Sequence, residues 1–144
     1  TLDASAYIAL EQPDEWAAIQ WFRAHTPANA RIMEGKGASY WATYNRISTL
    51  TGRPTLLGWD GHEAQWRGRS YGEMAAGRVD ALDTVYRTGT PRDIHQTLED
   101  WDIDYVYVGP TERSQYGITP QVEARLSAVL DPVFAQGNVR VYQR

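Results

Sequence analysis

Residues 58–68 read GWDGHEAQWRG, which places two tryptophans, an aspartate, a histidine, a glutamate and an arginine between glycines. Buried core segments are rarely this polar, and surface loops rarely carry two tryptophans. These residue types suit three kinds of chemistry: metal binding, acid–base catalysis, and contact with a bulky polar ligand. We weigh these three kinds of chemistry by the spacing of the side chains and by features elsewhere in the sequence.

Metal binding is poorly supported by the spacing. A zinc-protease helix requires a second histidine four residues after the first, but Trp66 occupies that position after His62. Asp60, His62 and Glu63 are close neighbours on one predicted loop, and such residues seldom converge as three ligands. With three histidines and no cysteine in the chain, we predict no metal and no other cofactor in this domain. The alternative role of His62 and Glu63 is to hydrogen-bond the loop itself.

Catalytic motifs are also incomplete. Gly35-Lys36-Gly37 follows a predicted strand, as a phosphate-binding turn would, but Tyr40 replaces the third glycine of a dinucleotide motif, and no P-loop ending is present. A turn with positive φ is the ordinary explanation of these glycines. Ser39 and Ser48 lie outside any Gly-x-Ser-x-Gly elbow. The sequence therefore predicts no catalytic residue.

Charged side chains leave two interpretations open. Carboxylate pairs can act as acid and base when their separation is right, which a sequence does not give. Arginines near the same acids can instead neutralise them in a structural salt-bridge network, which we favour. The acids concerned are Glu34, Asp60, Glu63 and Glu112, and the arginines are Arg46, Arg67 and Arg113.

The bulk composition excludes several classes of protein. A chain of 144 residues suits one domain with an adequate core, so we predict a single domain over residues 1–144. The net charge is −4, without a basic patch, which argues against nucleic-acid binding. The sequence holds no apolar run of membrane-spanning length and begins with Thr1 rather than methionine, so it reads as a fragment of a longer protein.

Hydrophobic periodicity predicts alternating helices and strands. Helices are expected from Pro13 to before Thr26, over roughly 72–88, after Thr90-Pro91 and after Thr119-Pro120; strands are expected at Arg31–Glu34, Pro54–Gly58 and Tyr105–Gly109, with a hairpin around Gly137-Asn138. Residues 38–50 stay ambiguous. This order predicts an α/β sandwich: a mostly parallel sheet flanked by helices, with a C-terminal antiparallel hairpin at its edge.

Three segments follow the carboxyl ends of predicted strands: Glu34–Tyr40, Gly58–Gly68 and Gly109–Tyr116. Such segments gather on one edge of an open α/β sheet, where ligands bind. We call these three segments the rim. With Arg46, the rim supplies the residues that we predict to contact a ligand or to form an interface: Glu34, Tyr40, Arg46, Trp59, His62, Glu63, Trp66, Arg67, Glu112, Arg113 and Tyr116.

Aromatic residues are abundant, with six tryptophans and nine tyrosines, and several fall in predicted loops. Flat rings beside acids, arginine and histidine suit a sugar, whose C–H face stacks while its hydroxyls bond polar groups. They equally suit a protein interface, where tryptophan, tyrosine and arginine concentrate. The sequence pattern does not decide between these two.

Several blocks resemble a known family. SYWATYNRISTLTGRPTLLGWDGHEAQWRG, DIDYVYVGPTERSQY and the terminal VFAQGNVRVYQR are similar to the carboxy-terminal region of the "YYY" family of predicted multi-spanning membrane proteins. The opening TLDASAYI and the EW…IQWFRAHTP segment also fit, so the likeness covers nearly the whole chain. The function of that family is uncharacterised, and its members resemble GT-C glycosyltransferases. One departure is Asp60, which stands where the family more often has proline.

The resemblance implies an accessory, acceptor-side domain of a membrane-embedded GT-C-like enzyme that uses a lipid-linked sugar donor. The chemistry would then lie elsewhere in the protein. The implied location is the extracytoplasmic face of the cell membrane, and the implied partners are the transmembrane part of the same polypeptide and a lipid-linked sugar or glycan acceptor. Two alternatives remain: a free-standing small α/β hydrolase or metal-dependent enzyme, and a protein-interaction module.

Overall fold

The computed structural model describes residues 4–144, and helices flank both faces of one four-stranded sheet. Its strands are β1 (Ile32–Met33), β2 (Tyr105–Val108), β3 (Asp131–Gln136) and β4 (Val139–Gln143), in the order β1-β2-β4-β3. β1 and β2 are parallel, whereas β2–β4 and β4–β3 are antiparallel. The predicted α/β class, with helices around the sheet and a C-terminal antiparallel hairpin at its edge, is confirmed.

The predicted strand Pro54–Gly58 is reduced to an isolated parallel bridge between Thr55 and Ile32. Ile32 donates its N–H to Pro54 and accepts the N–H of Leu56, at 2.9 and 3.2 Å. Pro54 has no N–H to donate, and β1 offers only two residues for pairing, so the ladder ends there. The parallel part of the sheet therefore consists of the β1–β2 pair and this bridge.

Helices account for most of the remaining chain within residues 4–144. Their bounds are α1 (Ala4–Glu11), α2 (Pro13–His25), α3 (Arg46–Thr51), α4 (Asp60–Arg67), α5 (Tyr71–Ala75), α6 (Arg78–Asp83), α7 (Pro91–Asp100), α8 (Pro110–Tyr116) and α9 (Pro120–Ser127). The predicted helices at α2, α7 and α9 are confirmed, and each begins with proline in its first turn. Thr90 and Asp93 form the capping box of α7. None of the described helices is long and apolar enough to cross a bilayer.

Other helices differ from the predictions. α1 was not predicted, and its block TLDASAYI begins with residues 1–3, which lie outside the described residues. α4 and α8 replace predicted loops. The helix predicted over 72–88 is divided between α5 and α6, because Gly77 adopts a left-handed conformation (φ 77°) at the N-cap of α6. A π-helical turn at Thr84–Thr88 then follows α6 directly.

The core lies in two layers, one on each face of the sheet, because successive strand residues point to opposite sides. On one face, Met33 and Val106 pack with α6, α7, α8 and α9. On the other face, Ile32 and Tyr105 pack with α1, α2 and α3. The molecule is thus a helix–sheet–helix sandwich whose rim segments leave one edge of the β1–β2 pair.

Candidate functional site

The three rim segments meet in space through Glu34–Tyr40, which contacts both of the others. On one side, Glu112 accepts the N–H of Gly35 at 2.7 Å, and the hydroxyl of Tyr116 accepts the N–H of Lys36 at 3.2 Å. On the other side, Lys36 forms an ion pair with Asp60 at 2.5 Å. Ser39 Oγ accepts the N–H of Gly61 at 2.6 Å. The fold therefore brings the three segments to one edge of the sheet.

Glu34 lies beneath this surface and is 2% exposed. Its two carboxylate oxygens accept the backbone N–H groups of Ile47 and Ser48, at 3.0 and 3.1 Å, in the first turn of α3. A buried carboxylate at a helix N-terminus satisfies N–H groups that have no partner within the helix. Burial nonetheless raises the pKa of Glu34. Its position fits a structural role in holding α3 against the end of β1.

Glu112 also bonds the backbone, between the end of β1 and the start of α8, and is 3% exposed. One oxygen accepts the Gly35 N–H and the other accepts the Gly109 N–H at 2.9 Å, which joins the start of α8 to the end of β1. Burial raises the pKa of Glu112 to about 7, and the nearby Glu34 carboxylate contributes to the rise, while the backbone hydrogen bonds oppose it. Two of the four carboxylates considered for acid–base catalysis, Glu34 and Glu112, are thus bonded to the backbone.

Close contacts, rather than positive φ, explain the glycines at 35 and 37; neither adopts the left-handed conformation. A Cβ on Gly35 would lie 2.9 Å from Glu112 Oε1, and a Cβ on Gly37 would lie 1.9 Å from the ring of Tyr44. The expectation of a turn with positive φ is therefore wrong here. The two glycines let a carboxylate and an aromatic ring approach the backbone.

Arg46 is also buried, at 8% exposure, and pairs with the buried carboxylate of Glu15. The hydroxyl of Tyr107 donates to the other oxygen of Glu15 at 3.0 Å. This cluster ties α2 to α3 and to β2. Arg46, predicted to contact a ligand, instead lies below the surface, as do Glu34, Glu112 and Tyr116.

Tyr40, His62 and Trp66 form the accessible aromatic part of the rim. Tyr40 is 71% exposed and Trp66 is 85% exposed. The ring of Tyr40 meets the half-buried imidazole of His62 edge-on, with centroids 4.3 Å apart, and its hydroxyl reaches Gln65 at 3.4 Å. His62 and Trp66 are four residues apart on α4 and therefore share one face. Tyr40 holds this position with φ 70°, which non-glycine residues rarely adopt.

Charged groups of α4 are paired with near neighbours. Glu63 and Arg67 form an i,i+4 pair at 2.5 Å, and Asp60 accepts the hydroxyl of Tyr71 at 2.5 Å. Desolvation and this hydrogen bond raise the pKa of Tyr71 to about 12. The loop predicted to be fixed by His62 and Glu63 is a helix, in which Glu63 orients Arg67.

Two predicted rim residues point away from the exposed surface. The indole N–H of Trp59 donates to the carbonyl of Tyr44 at 3.1 Å, and the ring is half-buried. Arg113 donates to the carbonyl of Asn138 at 2.6 Å and pairs with Glu123 at 2.7 Å. Arg113 therefore fastens α8 to the β3–β4 turn and to α9.

A cleft of about 340 Å³ opens between the segment after Tyr40 and α8. Its lining carries no charged side chain and consists of Thr43, Tyr44, Pro110, Thr111, Ser114 and Gln115. The hydroxyl of Thr111 donates to the carbonyl of Thr43 at 3.1 Å, which joins the two walls. The side-chain carbonyl oxygen of Gln115 is shielded from solvent and has no hydrogen-bond partner within residues 4–144.

The four cleft residues on α8 were missed because this segment was predicted to be a loop, and Thr43 and Tyr44 lie in the segment 38–50, whose structure the sequence left ambiguous. In a helix, Thr111, Ser114 and Gln115 have the spacing i, i+3, i+4 and share a face, whereas Glu112 and Tyr116 define a buried face. Gly109-Pro110 followed by Glu112 was the available signal, because proline in the first turn and a glutamate at the third helical position are typical of a helix start.

The described residues contain no group of three or more His, Asp or Glu side chains that could hold a metal ion. No family model, curated protein or solved structure significantly matches the chain.

Proposed function

We propose that this chain is a binding domain for a sugar-containing ligand and does not itself catalyse a reaction. The observation that carries the proposal is the exposure of the rings of Tyr40 and Trp66 on the rim, together with a cleft beside α8, another rim element, that is lined by hydroxyl and amide groups. Sugar rings stack their C–H faces on aromatic side chains and pair their hydroxyls with uncharged polar groups. A cleft of about 340 Å³ lies at the lower end of ligand-pocket volumes.

The buried carboxylates favour binding over catalysis. All four oxygens of Glu34 and Glu112 already accept backbone N–H groups. A general acid or base must reach the proton that it transfers. Use of either carboxylate in catalysis would therefore require these hydrogen bonds to be broken, which weakens the alternative of a free-standing hydrolase.

The resemblance to the "YYY" family implies that this binding domain is part of a larger protein. We propose that it forms the acceptor side of a membrane-embedded GT-C-like glycosyltransferase on the extracytoplasmic face of the membrane, with a lipid-linked sugar as donor and no nucleic-acid partner. The catalytic carboxylate would belong to the membrane part of the same polypeptide. The coding sequence upstream of Thr1 tests this: an array of apolar segments supports the proposal, and its absence refutes the membrane part.

Titration with methyl glycosides of common hexoses tests the binding step directly. We expect millimolar sugar to shift the NMR signals of the Trp66 indole N–H and the Gln115 side-chain amide. Trp66→Ala and Gln115→Ala should each weaken binding by up to about tenfold, because each removes one stacking or hydrogen-bonding contact.

Tyr7→Ala is the matched control, because Tyr7 is 63% exposed but lies on α1, outside the rim. This variant should bind sugar as the unaltered chain does. Absence of a shift with every glycoside, or equal weakening by Tyr7→Ala, would contradict the sugar-binding proposal.

A protein-interaction module is the second candidate, and the exposure of Trp66 favours it. A tryptophan that is 85% exposed beside Arg67 resembles the energetic centre of an interface, where Trp and Arg are enriched. If Trp66→Ala abolishes association with the transmembrane part while no glycoside binds, the interaction module replaces the sugar-binding domain.

A further inference from the structure

A second cavity, of about 180 Å³, lies at the opposite edge of the sheet from the rim. Arg31 immediately precedes β1 and Ile103 lies just before β2, so the cavity sits at the amino ends of the parallel pair. Its remaining lining residues are Pro54, Thr55, Leu56, Arg78 and Trp101. The lining therefore contains two arginines and no acidic residue.

The two arginines lack carboxylate partners within the described part of the chain. Arg78 donates to the backbone carbonyls of Met74 and Leu56, and its guanidinium lies over the Trp101 ring, 5.0 Å from the centroid. Arg31 donates to the carbonyl of Trp101 at 3.3 Å. The hydrogen-bond acceptors of both guanidinium groups are therefore neutral carbonyls. This is notable in a chain whose net charge is −4.

One neighbouring acid bonds the backbone of Arg31 rather than its guanidinium. Asp104 accepts the backbone N–H of Arg31 at 2.8 Å and does not line the cavity. The arginines are instead held in place by carbonyl acceptors and, for Arg78, by the indole face. Each guanidinium has five N–H donors in a rigid fork, so several donors remain for a ligand.

Thr55 is a third polar residue in the lining of the same cavity. Its hydroxyl oxygen is shielded from solvent and has no hydrogen-bond partner in the part of the chain that the structure describes. Buried hydroxyls are normally paired, because leaving one unpaired costs free energy. Rotation of this side chain toward the cavity would let a ligand oxygen accept the hydrogen bond of the hydroxyl and supply the missing partner.

We propose that this cavity is a binding site for a phosphate group, held by Arg31, Arg78 and Thr55. Two guanidinium forks and a hydroxyl match the several acceptor oxygens of a tetrahedral oxyanion. The enclosed volume admits the phosphate of a free ion or of a phosphomonoester. The site is separate from the sugar-binding rim and does not rest on the proposed function.

Calorimetric titration with inorganic phosphate at constant ionic strength tests the site. We expect saturable binding at one site, weakened about tenfold or more by Arg31→Gln, because a charge-assisted hydrogen bond is lost. Thr55→Val should also weaken binding. It should not destabilise the free chain, because it removes only an unpaired hydroxyl. Circular dichroism and thermal unfolding of each variant establish that it is folded.

Arg69→Gln is the matched control, because Arg69 is exposed and does not line the cavity. It should bind phosphate as the unaltered chain does. Methyl phosphate distinguishes the sources: comparable affinity assigns the site to a phosphomonoester, and selective binding of inorganic phosphate assigns it to the free ion. Absence of saturable phosphate binding, or unchanged affinity in both Arg31→Gln and Thr55→Val, would overturn the proposal. A negative sugar titration leaves this result unaffected.

Discussion

At the scale of single residues, the carboxylates of the rim have a different role from those that their residue type suggested. Glu34 and Glu112 were candidates for acid–base catalysis or for a salt-bridge network, yet both bond to backbone N–H groups. The sequence did not reveal this, because their donors at Gly35, Ile47 and Ser48 have no side-chain signature. The exposed part of the rim was easier to predict from residue types, since Tyr40 and Trp66 lie at the surface as predicted.

Glu112 makes stability depend on pH. Burial raises its pKa from 4.5 to about 7, so the folded chain binds the proton more tightly than the unfolded chain. Its contribution to the free energy of unfolding is full below about pH 4.5 and declines toward about pH 7, by on the order of 3 kcal/mol. Urea unfolding of the unaltered chain and of Glu112→Gln across this range should show a smaller decline in the variant.

Glu34 has a raised pKa for the same reason, so part of the decline remains in Glu112→Gln. Replacing the exposed Glu73 by glutamine is the control and should leave the pH dependence unchanged. If Glu112→Gln retains the full decline, the carboxyl group of Glu112 is not its source.

At the scale of elements, helices with a repeated apolar face were predictable and short polar helices were not. α2 and α7 bury residues three or four positions apart, such as Ile19 and Phe22 or Ile94 and Leu98. α4 has no buried residue, so it carries no apolar period to detect. Its acidic first turn and the arginine in its last turn favour a helix through the macrodipole, which is a weaker signal.

The buried pair between Glu15 on α2 and Arg46 on α3 should be essential for joining these helices. Arg46→Met leaves the buried carboxylate of Glu15 without its counter-charge, with only the Tyr107 hydroxyl still bonded to it, and should lower the free energy of unfolding by about 3–5 kcal/mol. Arg67→Met breaks the more exposed pair with Glu63 and should cost no more than about 1 kcal/mol. Chemical unfolding measures both variants.

The double variant Glu15→Gln/Arg46→Met should recover part of the loss, because no unpaired charge remains in it. Equal losses for Arg46→Met and Arg67→Met would show that burial of the pair has no energetic consequence.

At the scale of the whole molecule, the order of helices and strands along the sequence predicted the α/β class. The contacts between distant segments that complete the rim could be seen only in the structure. The alternation of strands and helices predicted the layers of the fold, and Gly137-Asn138 correctly predicted the turn of the β3–β4 hairpin. The reduction of Pro54–Gly58 to one bridge followed from the short length of β1, which depends on tertiary contacts. The cleft joins Thr43 to Thr111, and no local pattern relates such distant residues.

The two core layers should contribute independently to stability, because the sheet separates them. Ile19→Ala and Leu98→Ala empty fully buried positions on opposite faces, and each should cost about 2–5 kcal/mol. The double variant should show the sum of the two losses within about 0.5 kcal/mol and a single cooperative unfolding transition. Two separated transitions would instead mean that the layers unfold as distinct units.

The bulge in β3 has a consequence for crowded solutions. At that margin of the sheet, Pro132 cannot donate a hydrogen bond, and the pairing register shifts between Pro132 and Phe134. At the other margin, residues 54–56 already occupy the hydrogen-bonding groups of Ile32. Both features disfavour, at the margins of the described sheet, the addition of a strand from a neighbouring copy, which is the contact that nucleates amyloid-like aggregation.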